Sequence, residues 1–152
     1  INLADSTYYV KPKLESFGGP DNWAEANGMA ALVEGLAGVK NLGLAFDQTG
    51  LSPRWSSSAT DSADVCISLP ASGGYLSYKY VNRPKTREIS LLLTGSGNEL
   101  KGHILMPDNI KKANSVICDE KPVEFRTSTI RSSTYIDFNI PLDKVHHIRI
   151  KY

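Results

Sequence analysis

Leu76-Ser77-Tyr78-Lys79-Tyr80 runs through the polar turn Asn82-Arg83-Pro84-Lys85 into Ile89-Ser90-Leu91-Leu92-Leu93. Gly95-Ser96-Gly97-Asn98 then leads into Leu100-Lys101-Gly102-His103-Ile104-Leu105-Met106. In each segment the large apolar residues fall at every second position. A strand turns successive side chains to opposite faces, so this spacing describes strands with one face in a core and one in water. Strand-like runs separated by short polar turns are the pattern of an antiparallel β-sandwich.

The same period extends in both directions. Towards the C-terminus, Val116 and Cys118 pair through a tight Asp119-Glu120-Lys121 turn with Val123 and Phe125. Thr134, Ile136, Phe138 and Ile140 follow, then Ile148, Ile150 and Tyr152. Towards the N-terminus lie Val65, Ile67 and Leu69, a Ser-rich linker from Ser56 to Ser62 behind Trp55, and the alternating set Leu42, Leu44 and Phe46. About eight to nine short strands with turn signals between them predict an antiparallel β-sandwich over residues 42–152.

Before residue 40 the period is helical. Met29, Leu32, Val33, Leu36 and Val39 make one apolar face of a helix over residues 21–39, with Asp21 or Asn22 as N-cap, Glu25 at the positive end of the dipole and Gly38 as C-terminal stop. Ala24, Gly28, Ala31 and Gly35 form a smooth second stripe, which lets another backbone approach closely. Leu32, Leu36 and Val39 are expected to serve the sandwich. Residues 1–20 read as an irregular arm, with Tyr8-Tyr9-Val10 as a short strand or packing segment, so the chain divides into an arm and helix (1–41) and a sandwich (42–152).

Net charge is +1 and no apolar run approaches the roughly 20 residues that span a bilayer, which points away from nucleic acid and from membrane insertion. The start at Ile1 reads as a mature product, a fragment or an excised piece. Cys66 and Cys118 lie in strand-like runs and read as two small buried hydrophobes, reduced rather than bridged, although an oxidising compartment permits one disulfide. His103, His146 and His147 form no ligand spacing and there is no paired-cysteine pattern, so no zinc site is expected.

No nucleophile elbow, zinc-protease helix, P-loop or dinucleotide fingerprint is present. Gly73-Gly74 and Gly95-Ser96-Gly97 read as turns rather than phosphate cradles. His146 and His147 occupy one strand and point to opposite faces, as surface or edge residues. Asp137 and Asn139 share a solvent face. The carboxylates are scattered, so no glycosidase pair and no catalytic residue is assigned, and no cofactor is implied. Tyr75, Trp55 and Tyr135 are the exposed aromatics that could stack on a sugar ring.

The run Asn27-Gly28-Met29-Ala30-Ala31-Leu32-Val33-Glu34-Gly35-Leu36-Ala37-Gly38-Val39, with Leu42-Gly43-Leu44-Ala45-Phe46 and Leu51-Ser52-Pro53-Arg54-Trp55 behind it, resembles the C-terminal end of six-hairpin glycosidases, the (α/α)6-barrel glycoside hydrolases and phosphorylases. There a small-residue-rich last barrel helix leads through a short hairpin into a C-terminal β-sandwich. Ala113 to Phe125 is similar to a hairpin common in such sandwiches, with Glu120 where glycine is usual. The resemblance implies a non-catalytic accessory domain that buttresses the catalytic barrel of a periplasmic or extracellular carbohydrate-active enzyme, with the family's acid and base upstream of this chain. It places Asn22, Trp23 and Asn27, at the helix's N-terminal end, as the residues for contact with an oligo- or polysaccharide. An autonomous carbohydrate-binding module and an interaction domain of a secreted protein are the alternatives. An exposed aromatic platform would mark the first of these, and exposed apolar surface on the helix would mark the accessory domain.

Overall fold

The computed structural model describes residues 22–152 apart from residue 59, with side chains described from residue 26 onward. The expected arm of residues 1–20, the Asp21 or Asn22 cap and the side chain of Trp23 lie outside the described residues. The chain is mostly β, two sheets packed as a sandwich behind one short helix. The five-stranded sheet runs β1 (Val39–Asn41), β2 (Gln48–Leu51), β6 (Glu99–Leu105), β10 (Ser133–Pro141), β9 (Arg126–Ile130). The six-stranded sheet runs β3 (Ser62–Leu69), β4 (Gly74–Arg83), β5 (Glu88–Gly95), β11 (His146–Lys151), β7 (Ser115–Cys118), β8 (Lys121–Pro122). All pairings are antiparallel except β2 with β6.

Of the three strands read between Leu76 and Met106, β4 and β5 pair as an antiparallel hairpin, whereas the chain crosses after Gly95-Ser96-Gly97 and β6 joins the other sheet between β2 and β10. Leu76, Tyr78 and Tyr80 of β4 lie buried beside Leu91, Leu93 and Ile89 of β5. Across the interior they join one core with Leu100 and Ile104 of β6 and Ile136, Phe138 and Ile140 of β10. Each such side chain contributes about 1.5–3 kcal/mol by leaving water. Gly102 sits opposite Phe138, and a Cβ there would stand 2.5 Å from the Phe138 ring, so this glycine makes room for an aromatic. The sandwich begins at Val39, three residues before the expected start at residue 42.

Three expectations about strands change. Leu42, Leu44 and Phe46 form a loop. The Asn41 side-chain oxygen accepts the backbone N–H groups of Gly43 (3.3 Å) and Phe46 (3.0 Å), and Ala45 and Phe46 take positive φ. This local bonding competes with the ladder and reverses the chain. Phe46 turns into the core and Leu44 is 88% exposed. Val123 and Phe125 lie beyond the two-residue β8, although the Val123 N–H still reaches the Val116 carbonyl at 2.9 Å. Strand β9, Arg-Thr-Ser-Thr-Ile, carries no apolar alternation because it is an edge strand exposed along most of its length.

The helix is shorter and wound differently. Helix α1 covers Asn22–Ala30, and Ala31–Leu36 continue as a π-helical turn closed by Ala37 N–H to the Leu32 carbonyl at 2.9 Å. The wider turn shifts the face that a 3.6-residue period assigns. Leu32, expected on the sandwich, is 52% exposed and Met29 is 58% exposed, while Val33 packs against the core and Ala37 and Val39 are buried. Val39 belongs to β1 rather than to the helix. Gly38 does end the helical segment. Its φ is +69°, and a Cβ would stand 1.9 Å from the Ser52 carbonyl oxygen, which excludes any other residue without rearrangement.

Candidate functional site

Strands β7 and β8 meet in a two-residue turn, Asp119-Glu120, with φ of 48° and 64°. Both residues are left-handed, the geometry that suits hairpin twist and usually selects glycine or asparagine. The turn carries Asp119 next to β11, where Ile148 pairs with Cys118. Asp119 Oδ1 accepts the His147 backbone N–H at 2.9 Å, and Oδ2 meets His146 Nδ1 at 2.9 Å and Lys144 Nζ at 3.1 Å. The backbone N–H of His147, then the Lys144 ammonium, hold the Asp119 carboxyl well below the usual carboxylate range.

His146 was expected on the surface. It is 3% exposed, with the same inward parity as Ile148 and Ile150. It survives burial because both ring nitrogens have partners: Nδ1 faces Asp119, and Nε2 faces Asp143 Oδ1 at 3.0 Å. Carboxylates only accept, so each of these contacts uses a ring N–H as its donor. Cys118 Sγ also approaches Nδ1, at 3.6 Å. The order thiol, imidazole, carboxylate resembles a nucleophile and its base. Burial, then the Asp119 charge, push the Cys118 thiol up, however, and Asp119 stands nearer the ring nitrogen than the sulfur does. Cys118 is thus a buried thiol, not an activated nucleophile.

Cys118, Asp119 and His146 each present one ligand atom, and these three atoms lie within 4.8 Å of one another. Sequence spacing concealed this set because it unites a hairpin with a strand 28 residues further on. The parity of His146 with Ile148 was the available signal that it points inward.

Other sequence candidates separate. Cys66 is exposed, not buried: Val65 and Ile67 take the inner face of β3, which leaves Cys66 opposite Ser77 on the outer one. Both cysteines are free thiols. Tyr75 is 36% exposed on the face opposite Leu76. Trp55 is half-buried and donates its indole N–H to the Tyr78 hydroxyl at 2.9 Å. Tyr135, read as exposed near a turn, lies within β10, 8% exposed, with the His103 ring stacked on it at 4.1 Å. Asp137 bonds that histidine, and Asn139 is exposed. Gly73 lies in the β3–β4 connection and Gly74 opens β4, while Gly95 closes β5 and Ser96-Gly97 lie in the β5–β6 connection. Of the three residues proposed for sugar contact, Asn27 is exposed on α1, and the side chains of Asn22 and Trp23 lie outside the described residues. No protein-family model and no curated protein matches the chain.

Proposed function

We propose that this chain is a non-catalytic accessory domain of a periplasmic or extracellular glycoside hydrolase, which buttresses a helical catalytic barrel through its own N-terminal helix. The observation that carries this reading is the helix surface. Met29 and Leu32 are more than half exposed, and no residue of the π turn is buried. Gly28 and Gly35 have open space where a Cβ would stand. A segment with large apolar side chains and smooth glycine positions turned away from its own core is built to be covered. The sandwich supplies a rigid mount, joined through the Gly38 turn.

A carbohydrate-binding module needs aromatic faces presented together. Among the described residues Tyr75 is the one exposed Phe, Trp or Tyr, while Trp55 and Tyr135 are withdrawn. The accessory reading is therefore preferred.

The gene sequence upstream of Ile1 is the first test, and a six-hairpin barrel is expected there. The second is co-expression of this chain with the upstream segment. The two should co-purify, and Met29→Asp with Leu32→Asp should abolish co-purification without lowering the melting temperature of the isolated chain. A different upstream domain, or co-purification indifferent to both aspartates, refutes the assignment.

A further inference from the structure

We propose that Cys118 Sγ, Asp119 Oδ2 and His146 Nδ1 form a binding site for one divalent cation of the zinc class, open at its fourth position. The argument starts from a conflict in hydrogen bonding. Sulfur and carboxylate both converge on Nδ1, at 3.6 Å and 2.9 Å, and a ring nitrogen carries only one proton to offer them. A single cation placed between the three atoms satisfies all of them.

Ligand atoms on a tetrahedral zinc stand about 3.3–3.6 Å apart, given zinc bonds near 2.3 Å to sulfur and 2.0–2.2 Å to nitrogen and oxygen. The Sγ to Nδ1 separation is already in that range. Soft thiolate, imidazole and carboxylate together suit zinc, whereas calcium and magnesium prefer oxygen ligands.

The surroundings are those of a metal-ligating histidine. Asp143 Oδ1 holds the other ring nitrogen at 3.0 Å, fixing the tautomer that leaves Nδ1 free for the metal. The His147 backbone N–H fixes Asp119 Oδ1 and so aims Oδ2. The site sits at the rim of the core, with Cys118 and His146 buried and the Asp119 side chain 28% exposed, which gives an entry path from solvent. Lys144 is 61% exposed and swings into solvent when the cation arrives. The Cys118 thiol proton passes to the buffer as the sulfur–metal bond forms, His146 binds through the Nδ1 lone pair, and the third bond forms to the Asp119 carboxylate.

The test uses the Cys66→Ser chain. Cys66 is exposed, so the substitution leaves the fold intact, and Cys118 becomes the only thiol. Titration with Co²⁺ should give a thiolate-to-cobalt charge-transfer band in the near ultraviolet at one ion per chain. Zn²⁺ should abolish that band by competition and raise the melting temperature. Asp143→Asn, at a carboxylate 68% exposed, should weaken zinc affinity about 10–100-fold and leave the metal-free melting temperature within a few degrees. Absence of the cobalt band in the Cys66→Ser chain, or zinc affinity indifferent to Asp143→Asn, overturns the site.

Discussion

Tyr78 joins three parts of the chain through one oxygen. Its hydroxyl donates to the Ala37 carbonyl at 2.7 Å, where the helical segment ends, and accepts the Trp55 indole N–H at 2.9 Å. Tyr78→Phe strands both partners and should cost about 1–3 kcal/mol at pH 7, read from denaturant melts. Burial pushes the Tyr78 hydroxyl up to about 12 from an ordinary value of 10, with the Trp55 bond opposing. A raised value in the folded state means that the associated stability is fully present below pH 10 and is lost as pH rises from 10 to about 12. Tyr78→Phe lacks that group, so its stability should fall less steeply than the parent's across this window. Equal slopes would assign the alkaline loss to other groups. Glu120 makes the opposite case: its φ of 64° strains an L-residue, and its exposed carboxylate meets Arg149 at 2.6 Å. The left-handed conformation costs roughly 1–2 kcal/mol and an exposed ion pair contributes about 0–1. Glu120→Gly should therefore raise the melting temperature by a few degrees, and a lower one would show the ion pair to dominate. The position was legible in the sequence as a departure from glycine, but its consequence required the backbone angle.

Among the elements, strands with several large apolar residues on one face were readable and those without were not. β4, β5, β6, β10 and β11 alternate because one face is in the core. β9 is an edge strand, and β2 pairs in parallel with β6 through a long connection, so neither carries a local signal. The helix failed for a different reason. Its apolar spacing fits 3.6 residues per turn, but the Ala37 to Leu32 bond closes a wider π turn and carries Leu32 to the surface. Oxidation measures this directly. Met29 is 58% exposed and Met106 is 3% exposed, so dilute peroxide should oxidise Met29 at least tenfold faster in the isolated chain. Addition of the proposed barrel should slow Met29 alone. Equal rates for the two methionines in the isolated chain would show that the helix face is covered.

Taken whole, the molecule divides at Ala37 rather than at residue 42, and this difference can be tested by truncation. The helix contributes no fully buried side chain among its described residues, whereas Ala37 and Val39 belong to the core. Val39 pairs with Leu51, the Ser52 N–H reaches the Gly38 carbonyl at 2.7 Å, and Tyr78 bonds the Ala37 carbonyl. A chain starting at residue 36 retains every one of these contacts. It should unfold cooperatively, with a strand-dominated circular dichroism spectrum and a melting temperature within a few degrees of the full chain. A chain starting at residue 42 loses β1. Exposure of the core that Val39 covered costs about 1.5–3 kcal/mol, and the orphaned Tyr78 hydroxyl adds about 1 kcal/mol or more. For a domain of this size such a loss should lower the melting temperature by roughly 10 °C. The change of period at residue 40 did not reveal this boundary because β1 is only three residues long, too short to show an alternation. If both truncations melt alike, β1 is not part of the cooperative unit and the boundary belongs at residue 42.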